Sequence, residues 1–575
     1  MRGSSFTIDD SLRARHTQTM RRWISLLPTL SMLACTQTAP TSSSRAEPKN
    51  APDPPASIPE GKKPRLILWL TIDQLRGGYL DKYRRHFGQD GFQRIARQGM
   101  EYSHAHYGHA ITETAPGHAT LFTGAAPREH GIIGNSWLTP KGKLVTSVLD
   151  PKTNLVGPGE LKMGPTTPPT PGRSPHRLLV PTLGDQMKKI SNGQALVYGV
   201  STKDRGAILP AGHAGQAFWL GEKGFVTSTY YSVTTPPWLE EHHREHPPEN
   251  YLSAPWSLSL AEELYLNPPS SSPFRAKLLG QNFPHHFSPH ISLSQQLALS
   301  PAGDEAVIDL SISLLRSEAL GLDLEPDLLS ISLSSTDKIG HAYGPESREF
   351  EDQLIKLDRL LARLFSAVDK QVSRDELIII LSADHGGCET VSHLRSLNLP
   401  ALRLTEETVA HHVREILRDE FNDDSYLLGI SSPYVYLDQE RIRKKQINES
   451  LVREKIAQGL LTLQGVHSTY TQYDTQGGGA LQQRVNAAFH RERSGAIYIV
   501  PRPYTLFLQN SSLAATHGSP WYYDTHVPLF IVAPGVAPGI SHEQVDIRSI
   551  VPTIAQLIQI PAPAAASWPA LRALE

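Results

Sequence analysis

Cys35 and Cys388 are the only two cysteines in 575 residues, so no disulfide framework holds this chain together and its stability must come from a buried core. Cys388 reads as a small buried thiol. An excess of charge of either sign is missing as well. The 55 basic residues stand against 57 acidic ones, a formal charge of -2, which leaves no global field to attract nucleic acid or an anionic membrane surface. The apolar run Trp23 to Ala34 is too short to span a bilayer, and no internal repeat is visible.

What is present begins with that run. Preceded by Arg21-Arg22, it reads as the charged and hydrophobic parts of a secretory signal. It ends at Met32-Leu-Ala-Cys35, which is similar to a lipoprotein signal-peptidase site; the alternative is an ordinary cleaved signal with an incidental cysteine. Residues 1–19 are polar and add nothing a signal needs, which makes Met20 a candidate start. Residues 36–63 are rich in Pro, Ser, Thr and Ala, too poor in apolar side chains to offset the entropy of ordering. The expected organisation is a leader over 1–35, a flexible tether over 36–63, a catalytic domain over 64–560 with insertions at about 215–305 and 395–515, and a tail over 561–575. The expected location is exported and periplasmic, with a membrane contact only through a lipid on Cys35.

Short apolar runs recur at 65–73, 195–200, 328–333, 377–381 and 529–532, as expected for strands covered on both faces. Between two of them, Leu354, Leu357, Leu361, Leu364, Phe365 and Val368 fall on one face at helical spacing. Strands alternating with helices predict an α/β fold, a mainly parallel central sheet with helices on both faces, with the remaining segments as a cap or insertions. Function in such sheets gathers at the carboxyl ends of the strands. Asp73, Asp337 and the Asp384-His385 pair each stand just past a predicted strand.

These residues have the chemistry of metal ligands. Asp73, Thr114, Asp337, His341, Asp384, His385 and His517 offer hard oxygen and borderline nitrogen donors, a mixture that zinc accepts. Asp337 and His341, four apart, can share one helical face. A threonine hydroxyl is a poor nucleophile unless a base or a cation activates it. The stretch Ile111-Thr-Glu-Thr-Ala-Pro-Gly-His-Ala-Thr-Leu-Phe-Thr-Gly124, followed by His130-Gly-Ile-Ile-Gly-Asn-Ser-Trp137, is the most specific in the chain.

With these motifs the chain resembles the metal-dependent alkaline phosphatase superfamily, and within it the phosphate-irrepressible alkaline phosphatases, which are related to the type I phosphodiesterases and nucleotide pyrophosphatases. The resemblance covers roughly residues 64–560. It implies two zinc ions, one held by Asp337, His341 and His517, the other by Asp73, Asp384 and His385, with Thr114 on the second as the nucleophile. Two ions about 4 Å apart stabilise both the attacking and the leaving oxygen of an in-line displacement. The resemblance also implies that Asn135 and the amide beside the nucleophile bind a phosphoryl oxygen, and that Lys203 and Arg205 form a cationic pair that favours monoesters. The segment His517-Gly-Ser-Pro-Trp-Tyr-Tyr-Asp-Thr-His526 holds two histidines, and the residues alone leave open which coordinates. The family pattern selects His517. His118 is expected to orient rather than to act as a base.

Sulfatases of the superfamily carry a Cys or Ser and an Arg where Thr114-Ala-Pro-Gly-His118 has neither. The expected activity is therefore hydrolysis of small-molecule phosphate monoesters through a phosphothreonine. A phosphodiesterase using the same site and a catalytically silent surface lipoprotein are the alternatives. The leaving group and the oligomeric state are not legible in the sequence.

Overall fold

The apolar runs fold into strands at the centre of a computed structural model that describes residues 63–159, 170–270, 272–275, 278–471, 478–509 and 511–572. The expected leader, with Cys35, and all of the tether but Lys63 lie outside the described residues. Strands β1 (Leu66–Ile72), β2 (Met100–His106), β3 (Val197–Ser201), β4 (Gln216–Gly221), β5 (Asp327–Leu333), β6 (Leu377–Ser382) and β7 (Leu529–Val532) stand in the order β2-β7-β6-β1-β5-β3-β4 within one 12-stranded sheet. From β6 to β4 neighbours run parallel. Only β7 breaks the pattern within this set, antiparallel to both β6 and β2.

Every residue of β1, β5 and β6 is buried, so both faces of the sheet's centre are covered and the continuous apolar runs have their physical reason. Register then decides where function can stand. Ile72 pairs with Leu333, Thr71 with Ser382 and Ser332 with Ser201, so β1, β5, β6 and β3 end level with one another. The residues that follow them emerge along one edge.

Four helices matter for the site: α1 (Thr114–Thr123), α2 (Asp204–Ala211), α3 (Ser335–Tyr343) and α4 (Arg348–Asp369). Helix α4 is the predicted amphipathic crossover. Ser347 caps it by accepting from the Phe350 amide at 3.1 Å, and Leu354, Leu357, Leu361 and Leu364 are completely buried in the main core. Leu361→Ala is expected to cost about 2–5 kcal/mol, the range for a large-to-small change in a packed core; denaturant unfolding of the two proteins measures it, and a change under about 1 kcal/mol would contradict this packing.

The stretch expected as a 215–305 insertion opens with β4 and Gly224–Ser228, both strands of the central sheet, and becomes irregular only afterwards. Residues 395–515 build a separate four-stranded sheet, Leu427–Ser431, Tyr434–Leu437, Ile497–Pro501 and Val466–Thr471. Helices Glu406–Phe421 and Glu449–Leu460 bury Val409, Val413, Val452 and Ile456 in a core of its own with Val435 and Ile497. In the tail, Leu571 is buried and its amide donates to Thr553 Oγ1 at 2.8 Å.

Candidate metal centre and nucleophile

Thr114 is the first residue of α1 and only 1% exposed. Pro116 fits in that first turn because its missing N–H has no intrahelical partner there. Gly117 has a tertiary reason. A Cβ at this position would lie 2.1 Å from the carbonyl oxygen of Asp384, so only glycine lets the nucleophile helix close onto the end of β6. Motif spacing and the metal centre are thus one packing problem.

Asp73 follows β1, Asp337 and His341 share a face of α3, and Asp384-His385 follow β6. Lys203, at the start of α2, places its ammonium 2.6 Å from Asp73 Oδ2, 2.6 Å from Asp337 Oδ2 and 3.4 Å from Thr114 Oγ1. His341 Nε2 lies 3.2 Å and His517 Nε2 3.3 Å from Asp337 Oδ1. On the other side, His385 Nε2 is 3.5 Å from Asp73 Oδ1 and 3.4 Å from Asp384 Oδ2. Residues from six separate segments meet here.

The three candidate ligand histidines are oriented alike. Nδ1 of His341 donates to the Ala515 carbonyl at 2.8 Å, Nδ1 of His385 to Gly386 at 2.8 Å and Nδ1 of His517 to Thr112 at 2.7 Å. A carbonyl only accepts, so each Nδ1 carries the proton and each Nε2 presents a lone pair to the centre. His341 and His517 bring these nitrogens to 3.2 Å of each other, a contact between two lone pairs that a shared cation resolves. Burial holds His517 below, and His385 well below, the usual imidazole range, which keeps both neutral and able to ligate.

The carboxylates tell the same story. Burial pushes Asp73 and Asp337 up, but Lys203 and the facing histidines push harder and hold both below the usual range. Burial, with Asp73 beside it, pushes Asp384 up to about 7. Asp73 Oδ1, Asp337 Oδ1, Asp384 Oδ2 and His385 Nε2 are all buried without a hydrogen-bond partner. Orphaned buried acceptors are costly unless something positive satisfies them, and these four converge. Two clusters have ligand atoms within 4.8 Å of one another: Asp337, His341 and His517, and Asp73, Asp337 and His385. The donor set fits divalent cations. Asp337 reaches both clusters, whereas the family resemblance assigns it to one.

Asn135 Oδ1 accepts from the amide of Ala115 at 2.9 Å, and its own amide donates to Glu113 Oε2 at 2.8 Å. The amide beside the nucleophile, expected on a phosphoryl oxygen, is therefore taken up by Asn135, whose Nδ2 remains as the donor. Burial pushes the Glu113 carboxyl up to about 7. Sequence reasoning missed Glu113, although its place directly before Thr114 was a signal. Arg205 stands two residues beyond Lys203, and its buried Nε has no hydrogen-bond partner.

His118 Nδ1 donates to the Thr114 carbonyl at 2.8 Å, and Nε2 accepts from Ser332 Oγ at 2.9 Å, the geometry of an orienting residue. His526 lies apart from the ligands: its Nε2 donates to the Ser103 carbonyl at 2.8 Å and its ring stacks on His106 at 4.9 Å. Cys388 is buried among Val391, Leu394 and Leu506. Among the described residues, no further group of three ligand-type side chains closes elsewhere.

A family model for type I phosphodiesterase / nucleotide pyrophosphatase matches residues 67–523. The chain is 30% identical over 519 residues to the alkaline phosphatase PafA of Elizabethkingia meningoseptica, covering 88% of this chain and 93% of that one. It is 28% identical to the alkaline phosphatase PhoV of Synechococcus elongatus, covering 91% and 95%. The crystal structure of wild-type PafA superimposes with a TM-score of 0.81 at 28% identity, over 88% of this chain and 98% of PafA. Matched over most of its length in sequence and in fold, the chain belongs to the type I phosphodiesterase / nucleotide pyrophosphatase family, within the alkaline phosphatase superfamily.

Proposed function

We propose that the protein hydrolyses phosphate monoesters through a covalent phospho-Thr114, with two zinc ions bound by Asp337, His341 and His517 and by Asp73, Asp384 and His385. The observation that carries this reading is the Lys203 ammonium within reach of Thr114 Oγ1 while paired to two ligand carboxylates, with Arg205 close behind it. A monoester dianion brings more oxygen charge than a diester, and a Lys and an Arg beside the nucleophile answer that charge. The names of PafA and PhoV support the same reaction class.

Bound zinc supplies Lewis acidity and lowers the pKa of a hydroxyl or water. The chain's own residues do the rest. Thr114, at the positive end of a ten-residue helix, releases its hydroxyl proton to solvent and attacks phosphorus in line. The P–O bond to the leaving group breaks, and the departing oxygen takes up a proton. Lys203, Arg205 and Asn135 Nδ2 meet the nonbridging oxygens, where charge is carried in the transition state. Water then attacks the phosphothreonine, so that ester plus water becomes alcohol plus phosphate and Thr114 is restored. His118 and Glu113 hold the segment still, one through the Thr114 carbonyl and the other through Asn135.

A diesterase built on the same ligands is the competing reading, favoured by the family model. Catalytic efficiency on an aryl phosphate and on its methyl diester separates the two. The monoester is expected to be preferred, and Lys203→Ala or Arg205→Ala to reduce that preference by about tenfold or more, because one charge-assisted contact contributes roughly 1.5–3 kcal/mol. Equal losses on both substrates would reject the selectivity argument. Arg21-Arg22, the apolar run to Ala34 and Cys35 support an exported, periplasmic enzyme, tethered if Cys35 carries lipid.

A further inference from the structure

Beside the candidate metal centre opens a cleft of about 510 Å³ whose walls include Phe274, Leu299, Leu513, Lys338 and His341. His341 belongs to both places: its Nε2 faces Asp337 and His517, and its ring lines the cleft. Lys338 stands three residues earlier on α3, hence on the same face of that helix. Its side chain is exposed in the cleft, and desolvation with the charge of Lys203 pushes its pKa down to about 8 against the pull of Asp337 and Asp73. Those two carboxylates already hold Lys203 at 2.6 Å each. Lys338 closes no ion pair among the described residues.

The apolar wall is held in place. Phe274, 40% exposed, lies under the Arg403 guanidinium, 3.7 Å from the ring centroid. Arg403 is itself fixed by the Ser511 and Leu513 carbonyls at 2.6 and 2.9 Å. Phe274, Leu299 and Leu513 together give the cleft one apolar wall beside the candidate reaction centre, the lining that small-molecule clefts have. In-line displacement requires the leaving group to depart opposite the nucleophile, and the cleft opens at His341, a member of the cluster Asp337, His341 and His517.

We propose that this cleft is the leaving-group subsite, and that it selects phosphate monoesters of aromatic or bulky apolar alcohols that carry a second anionic group, an apolar body against Phe274, Leu299 and Leu513 and a carboxylate on Lys338. The assignment rests on the phosphomonoesterase reading. It differs from it in naming what leaves.

The test uses the zinc-loaded full chain with methyl phosphate, phenyl phosphate and 4-carboxyphenyl phosphate, and calorimetry of 4-hydroxybenzoate binding. The carboxylated ester is expected to have the highest kcat/KM. Lys338→Gln is expected to lower it about tenfold, mostly through KM, with a much smaller fall on phenyl phosphate, and Lys338→Arg to restore most of it. Phe274→Ala should reduce both aryl esters relative to methyl phosphate. 4-Hydroxybenzoate should bind the wild type and lose about tenfold in affinity in Lys338→Gln. Equal loss on all three esters would place Lys338 on the phosphoryl group and overturn the subsite, as would binding of 4-hydroxybenzoate indifferent to Lys338. Absence of any monoester turnover with Lys338-dependent binding intact would instead overturn the monoesterase reading and leave the subsite standing.

Discussion

Thr114→Ala is expected to lower kcat/KM on an aryl phosphate by on the order of 10,000-fold, the scale of losing a covalent nucleophile while the binding groups stay. The fold is expected to survive the change. Thr114 is 1% exposed and its hydroxyl lies 3.4 Å from the Lys203 ammonium, while α1 is held by its backbone ladder and by Gly117 against Asp384. Thr114→Ser keeps the hydroxyl and is expected to retain far more activity than Thr114→Ala. Steady-state kinetics on the three proteins, with unfolding curves to show that each is folded, decide the matter. An alanine variant within tenfold of wild type would mean that water, not Thr114, attacks phosphorus.

The second large effect belongs to Asp337. Of the proposed ligands it alone enters both clusters, with Oδ1 facing His341 and His517 and a carboxylate oxygen within 4.8 Å of Asp73 and His385 ligand atoms. Asp337→Asn removes the charge and keeps the shape, so Lys203 loses one of its two anionic partners and both cation sites lose a ligand. Activity is expected to fall on the order of 1,000-fold or more, since a bound cation contributes several kcal/mol to charge stabilisation. Metal analysis after dialysis should find less than one equivalent in the variant and two in the wild type. Asp384→Asn, which touches a single cluster through His385, should keep the His341 and His517 metal. Retention of two equivalents by Asp337→Asn would remove the shared role read from the geometry. A chelator is expected to abolish wild-type activity, and added zinc to restore it.

How legible all this was in the sequence depended on burial. β1, β5 and β6 are covered on both faces, so they read as unbroken apolar runs, and the helix over 348–369 declared its buried face through six apolar residues at helical spacing. β2, Met-Glu-Tyr-Ser-His-Ala-His, is partly exposed and carries no such run. It escaped notice, as did β4. The short β7 was visible as a strand but not as an antiparallel one, because strand direction is set by where the chain returns after the 395–515 excursion and not by residue type.

Asp73, Asp337 and Asp384-His385 were visible because they stand just past legible strands, and the Thr114-Ala-Pro-Gly-His118 motif tied them, with His341 and His517, to a chemistry. Residue types alone could not say that Asp337 would face two clusters, that Asn135 would occupy the Ala115 amide, or that Lys338 would share a cleft with Phe274 and Leu513. Each of these joins segments far apart in the chain, and each depends on which side of a helix or loop meets the centre. The amino-acid sequence by itself determined the strands, the amphipathic crossover and the inventory of donors, since those follow from local periodicity and from burial on two faces. The tertiary structure alone decided the distances and the sharing of ligands, because level strand ends, a helix closed onto Asp384 and rings pinned by backbone carbonyls are properties of packing rather than of any one segment.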